Sequence, residues 1–169
     1  MLSAPALPLR VRCANALMRA ARTVGFQREA LDAQRLLQQA CDGTGLDDFG
    51  SDHFLAGYRV LLDSLAAEAE LSPLGVIIAR QEILMALGNR LQLIDYHRRY
   101  SEIGEADIRE PIFIIGQGRS GTTIMHELLA LDPQLRVPLT WEVDHPFPPP
   151  ESATYDSDPR IALTQRTLE

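Results

Sequence analysis

Lysine is absent. All sixteen basic residues of the 169 are arginine. A preference for arginine codons in a GC-rich genome accounts for the bias itself. Its consequence holds regardless: no phosphate site that depends on a lysine ammonium can be supplied from this chain. Cysteine is scarce too. Cys13 and Cys41 make neither a disulfide framework nor a metal-ligand cluster, which fits a reducing, cytoplasmic setting. No apolar run approaches the ~18 residues that span a bilayer. No secretory signal is present, because arginines interrupt the early apolar positions and no small-residue cleavage site follows an apolar core. Excess positive charge is missing as well. The net charge of −7 weighs against a nucleic-acid binder driven by backbone phosphates.

What is present reads as globular, at 46% hydrophobic and 23% charged residues. The length suits one domain with a real core and is too short for two ordinary ones. Charge is uneven. Residues 1–28 carry Arg10, Arg12, Arg19, Arg22 and Arg28 and no acid. Such a stretch is read as a first helix with a solvated basic face, in preference to a transit peptide or a membrane-surface helix.

Residues 1–107 form the expected helical N-terminal region. Apolar residues at Val11, Leu17, Met18, Ala21 and Val24 place a helix over 9–24, ended by Gly25. A second is expected over 28–41, with Leu31, Leu36 and Leu37 inward. The polar stretch DGTGLDDFGSD is a loop. Asp52 then caps a third helix carrying Phe54, Leu55, Tyr58, Leu61, Leu62 and Leu65 at helical spacing. Ser72-Pro73 is a start signal, with serine as N-cap and proline at the first helical position, for a fourth helix running to about Arg99.

At Ile108 the character changes, and residues 108–169 read as the start of an α/β domain. Pro111 precedes Ile112, Phe113, Ile114 and Ile115, a short β-branched run that predicts a strand buried on both faces. Gly116 to Gly121 is a loop, and Thr122 to Leu131 a helix closed by Asp132-Pro133. Strand, glycine loop and helix make the first half of a nucleotide-binding βαβ unit. No convincing second strand follows; the best remnant is Leu135 to Val137. A proline-rich aromatic stretch comes next, and Pro159 to Leu168 starts another helix.

The loop reads GQGRSGTT. It follows the outline of the ATP- and GTP-binding pattern G-x-x-x-x-G-K-[ST], with Thr122 where the lysine belongs. Backbone N–H groups along a glycine turn and the positive end of the next helix together attract an anion. Gly116, Gly118 and Gly121 permit the turn, Thr122 and Thr123 add hydroxyls, and Arg119 adds a permanent charge with a bidentate fork. These suit a phosphate or sulfate group. The missing lysine disfavours γ-phosphate chemistry, so a small-molecule kinase with Mg²⁺-ATP is the weaker alternative.

After a buried strand, GQGRSGTT resembles the 5′-phosphosulfate loop of sulfotransferases that use 3′-phosphoadenosine-5′-phosphosulfate (PAPS). MHELLALDP, VPLTWE, PFPPP and YDSDPRI resemble the arginine-type bacterial branch of that superfamily. The motifs cover residues 111–161. The resemblance implies a P-loop sulfotransferase-like parallel sheet domain, transfer of a sulfuryl group to a hydroxyl or amine of a small-molecule acceptor, and no metal. It assigns 5′-phosphate binding to Gly116, Gln117, Gly118, Arg119, Ser120, Gly121, Thr122 and Thr123. Arg119 would stabilise charge at the bridging oxygen. Glu142 is the candidate base, by position in TWE, and His126 its rival. His145, Trp141 and Phe147 are candidates to line the acceptor cleft, with loop packing as the plainer role. His97 lies at a helix end, where it interacts with helix carbonyls, and Asp158–Arg160 is read as a helix cap.

Relatives read the 3′-phosphate with an arginine and a serine well downstream of the loop, and the chain has no counterpart before Glu169. The expectation is therefore a truncated, inactive sulfotransferase fragment. A non-catalytic product that folds only in its helical part is the further alternative.

Overall fold

The computed structural model describes residues 8–21, 30–105, 107–117 and 119–168. The chain divides into two compact units, Met1–Arg98 and Arg99–Glu169.

The first unit is helical: α1 (Leu9–Ala21), α2 (Ala33–Thr44), α3 (His53–Ala67) and α4 (Pro73–Arg99). Local signals set the boundaries. Asp32 caps α2 by accepting the Arg35 N–H at 2.9 Å. Gly45, at φ 70°, ends it and returns its own N–H to the Cys41 carbonyl at 2.8 Å. The helix therefore starts and stops later than the apolar spacing suggests, and Asp42, Gly43 and Thr44 belong to it instead of to the loop. Asp52 occupies the N-cap position of α3 without a side-chain cap bond. Ser72 does cap α4, accepting the Gly75 N–H at 3.1 Å, with Pro73 at the first position. Of the face expected on the first helix, Leu17, Met18, Ala21 and Val24 lie outside the described side chains, as does Arg28.

The core forms where three of these helices meet. Leu36 and Ala40 of α2, Tyr58 and Leu62 of α3, and Val76, Ile83, Leu87 and Leu91 of α4 are buried. Leu36 and Leu91 have no exposed surface, and burying each contributes about 1.5–3 kcal/mol. Polar ties fix the register. The Tyr58 hydroxyl donates to the Ala33 carbonyl at 3.0 Å. Burial, and then the Asp32 carboxylate, push that hydroxyl up to about 12, so it remains a donor. Arg80 donates to the Ala30 carbonyl at 3.0 Å. The Leu74 N–H reaches the Asn15 side-chain oxygen at 3.3 Å, tying α1 to the start of α4.

The second unit contains a 3₁₀ turn (Ser101–Glu105), α5 (Thr122–Leu129), α6 (Thr140–Asp144), a 3₁₀ turn (Tyr155–Ser157) and α7 (Pro159–Leu168). Here the expected α/β architecture fails: among the described residues there is no strand and no sheet. Ile112–Ile115 run without regular structure, and their side chains face water, Phe113 at 80% and Ile115 at 93% exposure. A strand exists only through its partner, because its N–H and C=O groups point sideways, away from their own segment. β-branched composition favours an extended chain but supplies no ladder. Leu135–Val137 is likewise irregular. What packs instead is the α6–α7 corner. There Trp141 is 4% exposed, and Glu142 and Thr164 are buried with it.

Candidate functional site

The glycine turn is shaped by steric necessity. A Cβ on Gly116 would lie 2.5 Å from the Ser120 Oγ and 2.7 Å from the Thr122 methyl, so a larger residue would have to push both side chains aside. Ser120 closes the turn twice onto the Gln117 carbonyl, through its N–H at 3.2 Å and its hydroxyl at 2.7 Å. Arg119 sits at φ 69°, a left-handed conformation that costs a side-chain-bearing residue energy, and Gly121 follows at φ 90°. Gly121 is the N-cap of α5, and no side chain caps that helix. Its first N–H groups thus keep their free valence at the positive end of the helix dipole. The Arg119 side chain is exposed. Gly118 lies outside the described residues.

The turn therefore brings Gly116, Gln117, Ser120, Gly121 and Thr122 together, with Thr123 next on α5. These features fit an oxyanion: a tight turn closed by Ser120, the uncapped N–H groups at the start of α5, and an exposed arginine beside them. His126 is half-buried on α5 one turn beyond Thr122.

Glu142 belongs to a different cluster. At the third position of α6 its Oε2 accepts the Leu139 N–H at 2.7 Å, half of a capping box whose other half leucine cannot supply. Its Oε1 is paired with the Arg136 guanidinium, and the Tyr155 hydroxyl donates to the carboxylate. Burial alone would raise its pKa; the Leu139 N–H, Tyr155 and Arg136 outweigh burial and hold the carboxyl below its usual value. Tyr155 moves the opposite way, raised by burial and then by its bond to Glu142. Among the described residues no hydrogen bond or ion pair joins Glu142 to the glycine turn.

Arg160 was legible in the sequence as part of a cap, and that reading holds: its N–H donates to Asp158 Oδ1 at 2.9 Å at the start of α7. Its side chain does more. Nε and NH2 grip the Asp158 carboxylate at 2.8 and 2.6 Å, pulling that carboxyl down to about 2. NH1 donates to the His145 and Pro148 carbonyls at 2.8 and 2.6 Å. The guanidinium also stacks over Trp141 at 4.9 Å, and the other ring neighbour of Trp141 is Tyr155 at 5.3 Å. The stretch from His145 to Pro148 is thus anchored from α7. No spacing rule reveals this, since the recipients are backbone carbonyls more than ten residues away. His97 is exposed near the end of α4. No helix among the described residues is long and apolar enough to cross a membrane.

Residues 111–168 match the model of the sulfotransferase family. Among solved structures, sulfotransferase STF1 from Mycobacterium tuberculosis H37Rv is 33% identical with a TM-score of 0.68, over 80% of this chain and 38% of that one. Sulfotransferase STF9 from Mycobacterium avium is 31% identical with a TM-score of 0.68, over 80% of this chain and 35% of that one. Among curated proteins no sequence matches. The chain belongs, as a partial chain, to the sulfotransferase family, and it spans little more than a third of the length of these solved relatives.

Proposed function

We propose that this chain supplies the donor-binding loop of a sulfotransferase that moves a sulfuryl group from PAPS to a hydroxyl or amine of a small-molecule acceptor, without a metal. The observation that carries the reading is the Gly116–Thr123 turn: closed by Ser120, crowded at Gly116 by the Ser120 and Thr122 side chains, and opening onto an uncapped helix without lysine. When bound, PAPS supplies an activated sulfuryl group, and negative charge grows on the phosphate oxygen it leaves. The backbone N–H groups and hydroxyls of Thr122 and Thr123 hold the 5′-phosphate end, while Ser120 keeps the turn closed on the Gln117 carbonyl. Arg119 sets a permanent positive charge at the oxygen where the new charge collects. With a pKa above ~12, arginine stabilises that charge without giving up a proton.

The acceptor must also lose a proton. Glu142 must first release Arg136 or Tyr155 to receive it. His126, with no hydrogen bond or ion pair to its ring among the described residues, has no such partners to shed. We therefore place His126 ahead as base and give Glu142 the role of holding Arg136 and Tyr155 in place. Residues 1–169 by themselves leave Phe113 and Ile115 bare, and no turnover is expected from them alone.

Two experiments test the reading. Titration of the chain with inorganic sulfate and with 3′-phosphoadenosine-5′-phosphate should shift the amide NMR signals of Ser120 to Thr123, with Arg119→Ala weakening the effect about tenfold. Unmoved signals would remove the loop assignment. In a protein carrying this segment with the remainder of a sulfotransferase domain, Arg119→Ala should lower kcat by about a hundredfold or more. Undiminished transfer would overturn its role.

A further inference from the structure

Outside the glycine turn, the helical unit contains a groove between α3 and α4 of about 340 Å³. Phe54, Gly57 and Leu61 line it from α3, and Ile83, Ala86 and Arg90 from α4. Both triplets follow helical spacing, so the groove runs along the helices for ~10 Å. It stays open because small residues stand where larger ones would close it. A Cβ built on Gly57 meets nothing within 4 Å. Leu61 remains 48% exposed beside it.

Arg90 closes one end. Its Nε and NH2 donate to the Phe49 and Ser51 carbonyls at 2.8 and 3.0 Å, and its Cζ lies 4.2 Å from the Phe54 ring centre. No carboxylate among the described residues pairs with it. Five N–H groups belong to a guanidinium, and these two bonds leave donors to spare. The charge is thus fixed in place against an aromatic face, with an apolar trough leading away from it and no counter-ion among the described residues. We infer that the α3–α4 groove is a binding site for a small amphiphile with a carboxylate head and an unbranched apolar tail. The head pairs with Arg90 and the tail lies over Gly57 and Ala86. The volume is at the low end of the range for small-molecule pockets, which often lie between helices, and the site does not depend on the sulfotransferase reading.

Octanoate is the probe, because its chain is about as long as the groove. Titrated into the full chain at neutral pH, it should shift the methyl NMR signals of Leu61, Ile83 and Leu87 in a saturable way. Octanol, which lacks the charge, should bind about tenfold more weakly. Gly57→Leu fills the trough from an open position, and leucine is a better helix former than glycine. It should keep the fold, as checked by circular dichroism, and lose the octanoate shifts. The inference is overturned if the methyl signals stay put, if octanol binds as well as octanoate, or if Gly57→Leu binds undiminished. It is overturned too if sedimentation finds a wild-type dimer that Gly57→Leu dissociates, since the groove would then belong to a second copy.

Discussion

The two units of this chain are held together by different forces. Residues up to Arg98 bury aliphatic side chains at helical spacing, ending in two leucines with no surface at all. Residues beyond it bury one tryptophan and otherwise rely on charge: Arg136 on Glu142, and Arg160 on Asp158 and two backbone carbonyls. The first kind of core is non-directional and tolerant of exchange. The second is directional, so each bond needs its own partner and fails singly. Because Trp141 is the lone tryptophan and lies in the second unit, its fluorescence reports that unit separately from the helical signal.

The largest expected effect breaks the first unit alone. Leu91→Ala should cost about 2–5 kcal/mol, lowering the thermal midpoint of the helical circular dichroism while the Trp141 transition stays in place. A shift of both would show that the units unfold as one. The converse variant, Arg160→Ala, frees the His145 and Pro148 carbonyls and uncovers Trp141. It should move the tryptophan emission to the red at temperatures where the helical signal is still native.

Acid should make the same distinction without mutation. The Glu142 and Asp158 carboxyls are depressed in the folded state. Their contribution is complete above the unfolded values near pH ~4. It is lost as pH falls through the folded ones, with Asp158 last at about 2. The Trp141 signal should accordingly change between about pH 4 and 2, and Arg160→Ala should abolish the part due to Asp158. A tryptophan signal flat to pH 2 would remove the charge-based account of this corner. The smallest effect is Ser72→Ala, which deletes the cap on Gly75 and should cost about 1 kcal/mol in the helical transition only.

The same contrast decides what could be read from the sequence. Helices announce themselves because their hydrogen bonds are local: Ser72-Pro73 marked the start of α4, and the spacing of Tyr58 and Leu62 marked the inner face of α3. The glycine turn was legible for the same reason, since Gly116, Ser120 and Thr122 crowd one another within seven residues. The sheet was not, because Ile112–Ile115 state a preference whose fulfilment rests on residues elsewhere. Glu142 was noticed for its position, but its engagement by Arg136 and Tyr155 depends on a fold of the loop that no periodicity encodes. Its low pKa, which argues for anchoring in place of proton transfer, was equally out of reach.

The bare run from Ile112 to Ile115 has one more consequence, for handling and for survival in a cell. Four uncharged apolar residues, three of them β-branched, open to water and without proline inside, favour an extended strand that can pair with another chain. Asp107, Arg109, Glu110 and Pro111 stand immediately before it and act as gatekeepers on that side; on the other only Gly116 intervenes. Four residues that contribute nothing to the helical core thus add to the tendency of this polypeptide to pair with copies of itself.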